Sequence, residues 1–271
     1  MKLHHATQGA GITLLALSYG MAGCASASSA KPSTPAKPAI VKSIETAHNA
    51  ADWRANQAVQ ADIVVNFGGR AALQGVVTFS TDASRARIVR PDGSTVVFDG
   101  NTAWVAGGEF PRARFHVLTW PYFAAVPYKL ADAGTQLTEQ PPAPFNSATD
   151  LQPAWKLTFG PGTGDAPNDW YLLFPDPATG RLTAMAYIVT FGKTLAEAEK
   201  DPHAIRYLDF RPVGGVPIPH RWTFHDYSHT TGISAAQIGD AVLSNMRFIT
   251  PDANTFTAPA GAIEAPLSPT P

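Results

Sequence analysis

The sequence predicts a mainly β fold of the α+β class: one large antiparallel sheet, an incompletely closed β-barrel, with an N-terminal helix and a helical insertion. Apolar residues recur at every second position over much of the chain, and turn sequences separate these segments. Strands and helices do not alternate in the way that a parallel sheet requires. Hydrophobic residues make up 45% of the chain and charged residues 15%, which is typical of a folded protein with a substantial core.

The first element of the fold is a predicted helix over residues 41–56. Ile40, Ile44 and Ala47 recur there at helical spacing, and neither Gly nor Pro intervenes. From residue 59 onward the hydrophobic period changes from helical spacing to two. Residues 59–79 therefore predict two strands of a hairpin.

Turn sequences extend this hairpin into an antiparallel meander. Pro91-Asp92-Gly93 separates residues 86–89 from residues 95–98, and Asp99-Gly100-Asn101 precedes residues 102–105. Each of these short runs is apolar enough to form a strand.

An aromatic segment over residues 110–130 interrupts the meander. It contains Pro111, Pro121 and Pro127. Pro111 suits the first turn of a helix, whereas Pro121 is expected to end or kink it. We therefore expect a short broken helix packed against the sheet. About ten strands are expected in all, the later ones at residues 155–159, 169–174, 181–191, 204–210, 216–224 and 238–248, with helical turns at 194–201.

The beginning of the chain has the anatomy of a secretory signal. Residues 1–23 combine a basic start, a short apolar run and small residues before Cys24, which is the only cysteine of the 271 residues. Met21-Ala22-Gly23-Cys24 resembles the lipobox of bacterial lipoproteins, which implies cleavage before Cys24, a diacylglyceryl group on its thiol and acylation, with palmitate for example, of the new amino terminus. An ordinary secretory leader with an incidental cysteine is the alternative. The apolar run is too short for a stable membrane span.

Composition then divides the rest of the chain. Residues 24–39 are rich in Ser, Ala and Pro and predict a lipidated flexible tether, residues 40–255 a single β domain, and residues 256–271 a loose tail. Ala25 and Ser26 after the cysteine favour the periplasmic face of the outer membrane. The net charge of −1 gives no electrostatic footprint for nucleic acid, and the sequence points to no particular protein partner.

The order of these elements resembles the LolA/LolB-like superfamily of bacterial lipoprotein carriers, over roughly residues 41–251. The specific echoes are Trp120-Pro121-Tyr122-Phe123, the turn Phe174-Pro175-Asp176-Pro177-Ala178-Thr179-Gly180, and Gly215-Val216-Pro217-Ile218-Pro219. The resemblance implies a LolA-like incomplete barrel wrapped around helices, whose concave apolar face takes acyl chains in the known carriers.

The aromatic insertion supplies the candidate ligand site. Its apolar candidates, with one from a neighbouring strand, are Trp104, Phe115, Leu118, Trp120, Tyr122, Phe123 and Tyr128. Arg112 and Arg114 are candidates for a carboxylate or phosphate headgroup. The alternative is that these side chains plug one end of the barrel or, for the arginines, face water.

Other chemistry has weaker support. His220, His225, Asp226 and His229 lie within ten residues, but an odd separation places His220 and His225 on opposite faces of a strand. No Gly-x-Ser-x-Gly or His-Glu-x-x-His sequence occurs, and pairs such as Asp165 with Asp169 carry no signal of general acid catalysis. We expect neither a metal site nor a cofactor.

Three functional hypotheses follow from the sequence. The first is a non-enzymatic, membrane-tethered periplasmic protein that binds a lipid, acyl chain or other apolar ligand in a concave sheet. The second is a scaffold or interaction lipoprotein whose barrel is filled by its own side chains. The third is a metalloenzyme that uses the three histidines.

Overall fold

The computed structural model describes residues 37–266, which contain one antiparallel sheet of 13 strands and four helices. The strands are β1 (Ala58–Phe67), β2 (Arg70–Ser80), β3 (Ala86–Val89), β4 (Thr95–Phe98), β5 (Ala103–Ala106), β6 (Thr135–Pro144), β7 (Leu151–Phe159), β8 (Tyr171–Pro175), β9 (Leu182–Tyr187), β10 (His203–Val213), β11 (Val216–Ser228), β12 (Gly232–Ile249) and β13 (Ile263–Glu264). The helices are α1 (Ala39–Ala47), α2 (Ala50–Ala55), α3 (Ala113–Lys129) and α4 (Leu195–Ala198). No helix in the described part of the chain is both long and apolar enough to cross a membrane.

The sheet is open, with strand order β13-β5-β4-β3-β2-β1-β12-β11-β10-β9-β8-β7-β6. Most neighbours are consecutive hairpin strands, whereas β1 pairs with β12 in the middle of the sheet and brings Val59 opposite Phe248. Helix α3 connects β5 near one edge to β6 at the other, so the chain crosses the sheet through this helix. The predicted fold class, a large antiparallel and incompletely closed sheet with helical insertions, is confirmed.

The N-terminal helix is not continuous as expected. It divides into α1 and α2 at Asn49, whose φ of 49° lies in the left-handed region. The Asn49 side-chain amide donates to Asp52 at 2.7 Å and to the Gly215 carbonyl at 3.2 Å, and these bonds stabilise the break. Val41 and Trp53, one from each helix, are buried in the core.

Helix α3 also differs from the expectation, because it is a single helix of 17 residues rather than a broken one. Pro121 and Pro127 lie inside it and are both buried. Each proline removes one backbone hydrogen bond, at a typical cost of about 3 kcal/mol in an isolated helix. Burial of most of the helix against the sheet outweighs that local cost, so Pro121 does not end the helix.

Two strands that were not expected from the sequence, β6 and β13, lie at the two edges of the 13-stranded sheet. β6 contains Pro141, Pro142 and Pro144, which hide its alternation, and its pairing with β7 shifts register between Gln140 and Ala143. Proline is tolerated at an edge because one side of the strand needs no partner. At the other edge, β13 lies within the segment expected to be a loose tail and pairs with β5.

Apolar side chains cluster on both faces of the sheet. The larger cluster includes Trp53, Phe79 and Trp222 and contains residues of α1, α2 and α3 as well as of the sheet. A second cluster, which includes Trp170 and Phe174, is packed together with Ala198 of α4. α4 begins with a capping box of Thr194 and Glu197, so even this short helix has its first amides satisfied.

Candidate functional site

A cavity of about 390 Å³ lies between α3 and the part of the sheet formed by β7, β8 and β9. Its volume falls within the range of about 300–1,000 Å³ that is typical of sites for small apolar ligands. The residues that line it come from α3, the sheet and the neighbouring loops: Ala83, Ser84, Phe98, Gly100, Phe115, Leu118, Thr119, Tyr122, Phe123, Lys129, Asp132, Ala133, Thr135, Phe159, Thr163, Gly164, Asp165, Ala166, Asp169, Tyr171, Tyr187, Val189 and Phe191.

One face of α3 forms the helical wall of the cavity. Phe115, Leu118 and Tyr122 recur at intervals of three and four residues, so they lie above one another on this face. All three are only partly buried, although the helix is enclosed. Their side chains therefore border the cavity rather than filling it.

Aromatic rings form the opposite wall and contact the helix. Tyr171 of β8 lies 5.4 Å from the Tyr122 ring and 5.8 Å from the Phe159 ring, measured between centroids. Phe123 meets Tyr187 of β9 at 5.0 Å with an edge contact. These tilted and edge arrangements are the favoured ones for aromatic pairs, so the wall is held in place by its own contacts.

The loop over residues 160–169 is fastened to α3 by an ion pair. The Arg114 guanidinium donates two hydrogen bonds to the Asp165 carboxylate, one of them 2.8 Å long from Nη2 to Oδ1. Arg114 is 4% exposed, and its Nη1 has no hydrogen-bond partner within residues 37–266. Such bidentate pairs are among the stronger ones in proteins. The charge of Arg114 is thus already neutralised by the protein.

Arg112, the other candidate for a headgroup, is exposed at the beginning of α3. It adopts the left-handed conformation with φ 53°, and its guanidinium lies 4.1 Å from the centre of the Phe115 ring. This is cation–π geometry. Arg112 therefore covers one of the rings that line the cavity.

Asp169 is the most deeply buried carboxylate of the cavity wall, at 9% exposure. Its Oδ1 accepts hydrogen bonds from the Thr190 backbone amide at 2.8 Å and from the Thr190 hydroxyl at 2.6 Å. Burial raises the pKa of Asp169 to about 6, and the two bonds from Thr190 only partly oppose this effect. The carboxylate is therefore mostly ionised at neutral pH, at an energetic cost.

The predicted apolar candidates divide into two groups. Phe115, Leu118, Tyr122 and Phe123 line the cavity, and Trp104, Trp120 and Tyr128 do not.

The three candidates that do not line the cavity contact other side chains of the fold. Trp120 packs on His116 and donates to its Nδ1 at 3.0 Å, and Tyr128 stacks on Trp53 at 4.2 Å. Trp104 donates to Asp99 at 2.7 Å.

Several cavity residues were not expected from the sequence. Phe159, Tyr171, Tyr187 and Asp169 lie on or beside strands that were predicted without any assignment to a site. The alternation within β8 and β9 could have indicated which of their residues face inward, but not that space remains beside them.

The histidines of β11 and the following turn do not come together. His220 contacts the Ile218 carbonyl, His225 lies between Thr223 and the Ala236 carbonyl, and His229 packs against Trp170. Within residues 37–266 no group of three or more His, Cys, Asp or Glu side chains could hold a metal ion. Cys24, the predicted lipidation site, lies outside the described residues.

Comparisons with known proteins concern the fold alone. No family model and no curated protein matches the sequence. Among solved structures, the chain is similar to a LolA superfamily protein from Nitrosomonas europaea, with 12% identity and a TM-score of 0.48 over 79% of this chain and 97% of that one. A DUF1329 family protein from Desulfovibrio piger gives 11% identity and a TM-score of 0.45 over 80% and 96% of the two chains.

A third structure is the MucA/MucB complex of Pseudomonas aeruginosa. It is 15% identical with a TM-score of 0.31, over 83% of this chain and 63% of that one. In all three comparisons the sequence identity is at most 15% and the TM-score is below 0.5.

Proposed function

We propose that the protein binds a lipid, an acyl chain or another apolar ligand in the cavity beside α3, and that a lipid on Cys24 tethers it to the periplasmic face of the outer membrane. The observation that carries the binding proposal is the cavity itself, which lies between α3 and the sheet and is lined largely by aromatic rings. The space is open to solvent on one side, so its rings and aliphatic side chains contact water. A ligand that occupies the space would bury this apolar surface, which favours binding.

The role proposed here is binding and not catalysis. The groups that line the cavity are mostly rings and aliphatic side chains, and its charged groups are largely paired with one another. Such a lining holds an apolar body with little chemical selectivity along its length. The filled-barrel alternative is less favoured, since the concave side retains space beside α3.

A cavity-filling variant tests the binding proposal. Leu118→Trp places a larger side chain into the cavity, and we expect it to weaken the binding of a decyl-chain ligand at least about tenfold, which corresponds to about 1.4 kcal/mol. The measurement is displacement of an environment-sensitive fluorescent probe from the full chain carrying Cys24→Ser. This substitution removes the proposed lipid, so the protein can be studied without detergent.

The matched control is Leu208→Trp, the same exchange at a residue of β10 that is 38% exposed and outside the cavity. We expect this control to bind as the parent does. Equal affinities of the Leu118 and Leu208 variants, or no binding of any apolar compound by the parent, would overturn the proposal.

The tether has its own test. Cells fed labelled palmitate should incorporate the label into the wild-type protein and sediment it with membranes. Cys24→Ser should abolish both. Retention of the label by Cys24→Ser would show that the cysteine is not the site of lipidation.

A further inference from the structure

The carboxylate of Asp169 is only half satisfied by the protein. Both of its hydrogen bonds, from the amide and the hydroxyl of Thr190, go to Oδ1. Within residues 37–266 no hydrogen bond reaches Oδ2, and no cationic side chain forms an ion pair with this carboxylate. Asp169 nevertheless lies in the wall of an apolar cavity with 9% of its surface exposed.

The other charged side chains that line the cavity are paired within the protein, and Arg112 beside it lies over the Phe115 ring. Lys129 contacts Asp132 at 2.5 Å, and Arg114 binds Asp165 with Nη2 at 2.8 Å from Oδ1. Among the described residues that line the cavity, Asp169 is thus the carboxylate without a cation. The cavity carries an uncompensated negative charge at this wall.

Two tyrosines lie close to this charge. Burial is the main cause that raises the pKa of Tyr122 and of Tyr171, and the negative charge of Asp169 adds to the rise, together with that of Asp132 for Tyr122. The Tyr122 hydroxyl is buried and has no hydrogen-bond partner within residues 37–266. Aromatic faces and an unpaired carboxylate therefore occur together in one part of the cavity.

A buried carboxylate is stable when a cation and hydrogen-bond donors compensate it. Aromatic rings also attract cations through their electron-rich faces, and a site built from rings and a carboxylate suits an ammonium group. A fatty-acid carboxylate, in contrast, would meet the charge of Asp169 and be repelled.

We propose that the cavity selects an amphiphile with a protonated amine as its head, and that the carboxylate of Asp169 binds this amine while the aromatic wall holds the chain. The inference rests on the proposed binding function and specifies its ligand class. Asp169 supplies a charge-assisted hydrogen bond through Oδ2, while Oδ1 keeps its bonds to Thr190.

The test compares three ligands with the same chain and different heads: decylamine, decanol and decanoic acid. We expect the full chain carrying Cys24→Ser to bind decylamine at least about tenfold more tightly than decanoic acid at pH 7, because the ammonium group pairs with Asp169 whereas the ionised carboxylate of decanoic acid is repelled by it. Decanol, a neutral donor, should fall between them. The readout is competition with one fluorescent probe.

Asp169→Asn should remove the preference. The amide oxygen of Asn can still accept the two bonds from Thr190, so the fold should persist while the charge is lost. The matched control Asp252→Asn removes an exposed carboxylate outside the cavity and should keep the preference. Leu118→Trp should weaken the binding of all three ligands. This result would distinguish binding in the cavity from attraction of amines to the protein surface.

The outcomes are distinguishable. If none of the three ligands binds, the proposed function fails. If all bind with equal affinity, or if decanoic acid binds most tightly, the binding function stands and the amine preference is wrong. If Asp169→Asn does not fold, the ranking of the three ligands by the parent protein and by Asp252→Asn still decides.

Discussion

The two faces of α3 are both apolar, but they meet different surroundings. On one face Val117, Trp120 and Ala124 are buried against the sheet. On the other face Phe115, Leu118 and Tyr122 are partly exposed and border the cavity. The comparison indicates that hydrophobicity alone does not distinguish a side chain that stabilises the fold from one that is available to a ligand.

The largest effect is expected on the packed face. Trp120→Ala removes a side chain that is 3% exposed and stacks on His116, and we expect it to lower the free energy of unfolding by about 3–5 kcal/mol. Urea denaturation measures this loss. Trp104→Ala, at a half-buried position, is the matched control and should cost less. Equal costs would contradict the distinction between packed and open surroundings.

A pH titration of stability probes the packed side of α3, where His48 contacts Tyr128. Burial lowers the pKa of His48 to about 4, with a further contribution from Arg181, and its Nε2 accepts a bond from the Leu182 amide. The unfolded chain binds this proton at a higher pH, near the ordinary value of about 6.5. The contribution of His48 to the free energy of unfolding is therefore fully present above about pH 6.5, and about 3 kcal/mol of it is lost as the pH falls to 4.

Replacement of His48 tests whether this residue causes the loss of stability at low pH. His48→Gln can still accept the Leu182 bond through its amide oxygen, and it should remove about 3 kcal/mol of the acid-induced loss by the same linkage. His116, whose pKa burial also lowers to about 4, accounts for part of the loss that remains. His229→Gln, at an exposed residue, should change the pH dependence less. An unchanged acid profile in His48→Gln would contradict the prediction.

The smallest effect on stability is expected on the cavity face. Leu118→Ala removes a side chain that is already partly exposed, and we expect a cost of about 1 kcal/mol or less, since burial of a complete leucine contributes only about 1.5–3 kcal/mol. Urea denaturation beside Trp120→Ala measures the difference between the two faces. A cost above 3 kcal/mol at Leu118 would show that this face is packed as tightly as the other.

Much of the sheet could be predicted from the sequence because its signals are local. Period-two alternation and the turn at Pro91-Asp92-Gly93 predict β3 and β4 with the bounds that the structure shows. β6 could not be found in this way, since Pro141 and Pro142 are compatible with a strand only at an edge, and edge position depends on the whole sheet. Pro121 likewise led to the wrong expectation of a broken helix, because the burial that keeps α3 continuous depends on strands that are distant in the sequence.

The site was predictable only in part. Phe115, Leu118, Tyr122 and Phe123 could be proposed because the insertion is aromatic, but the sequence cannot show on which side of a helix space remains. The pairing of Arg114 with Asp165 joins elements that are distant in the chain. Asp169 is unremarkable in sequence, and only its burial beside paired charges makes it a candidate.

The pairing of β1 with β12 has a consequence for the order in which the molecule can form. Val59, from the first strand, needs Phe248 from the last long strand before the middle of the sheet exists. Contacts between residues so far apart in the chain slow folding, because loop closure must precede the gain from pairing. A nascent chain therefore cannot complete its sheet until nearly all of it has been synthesised.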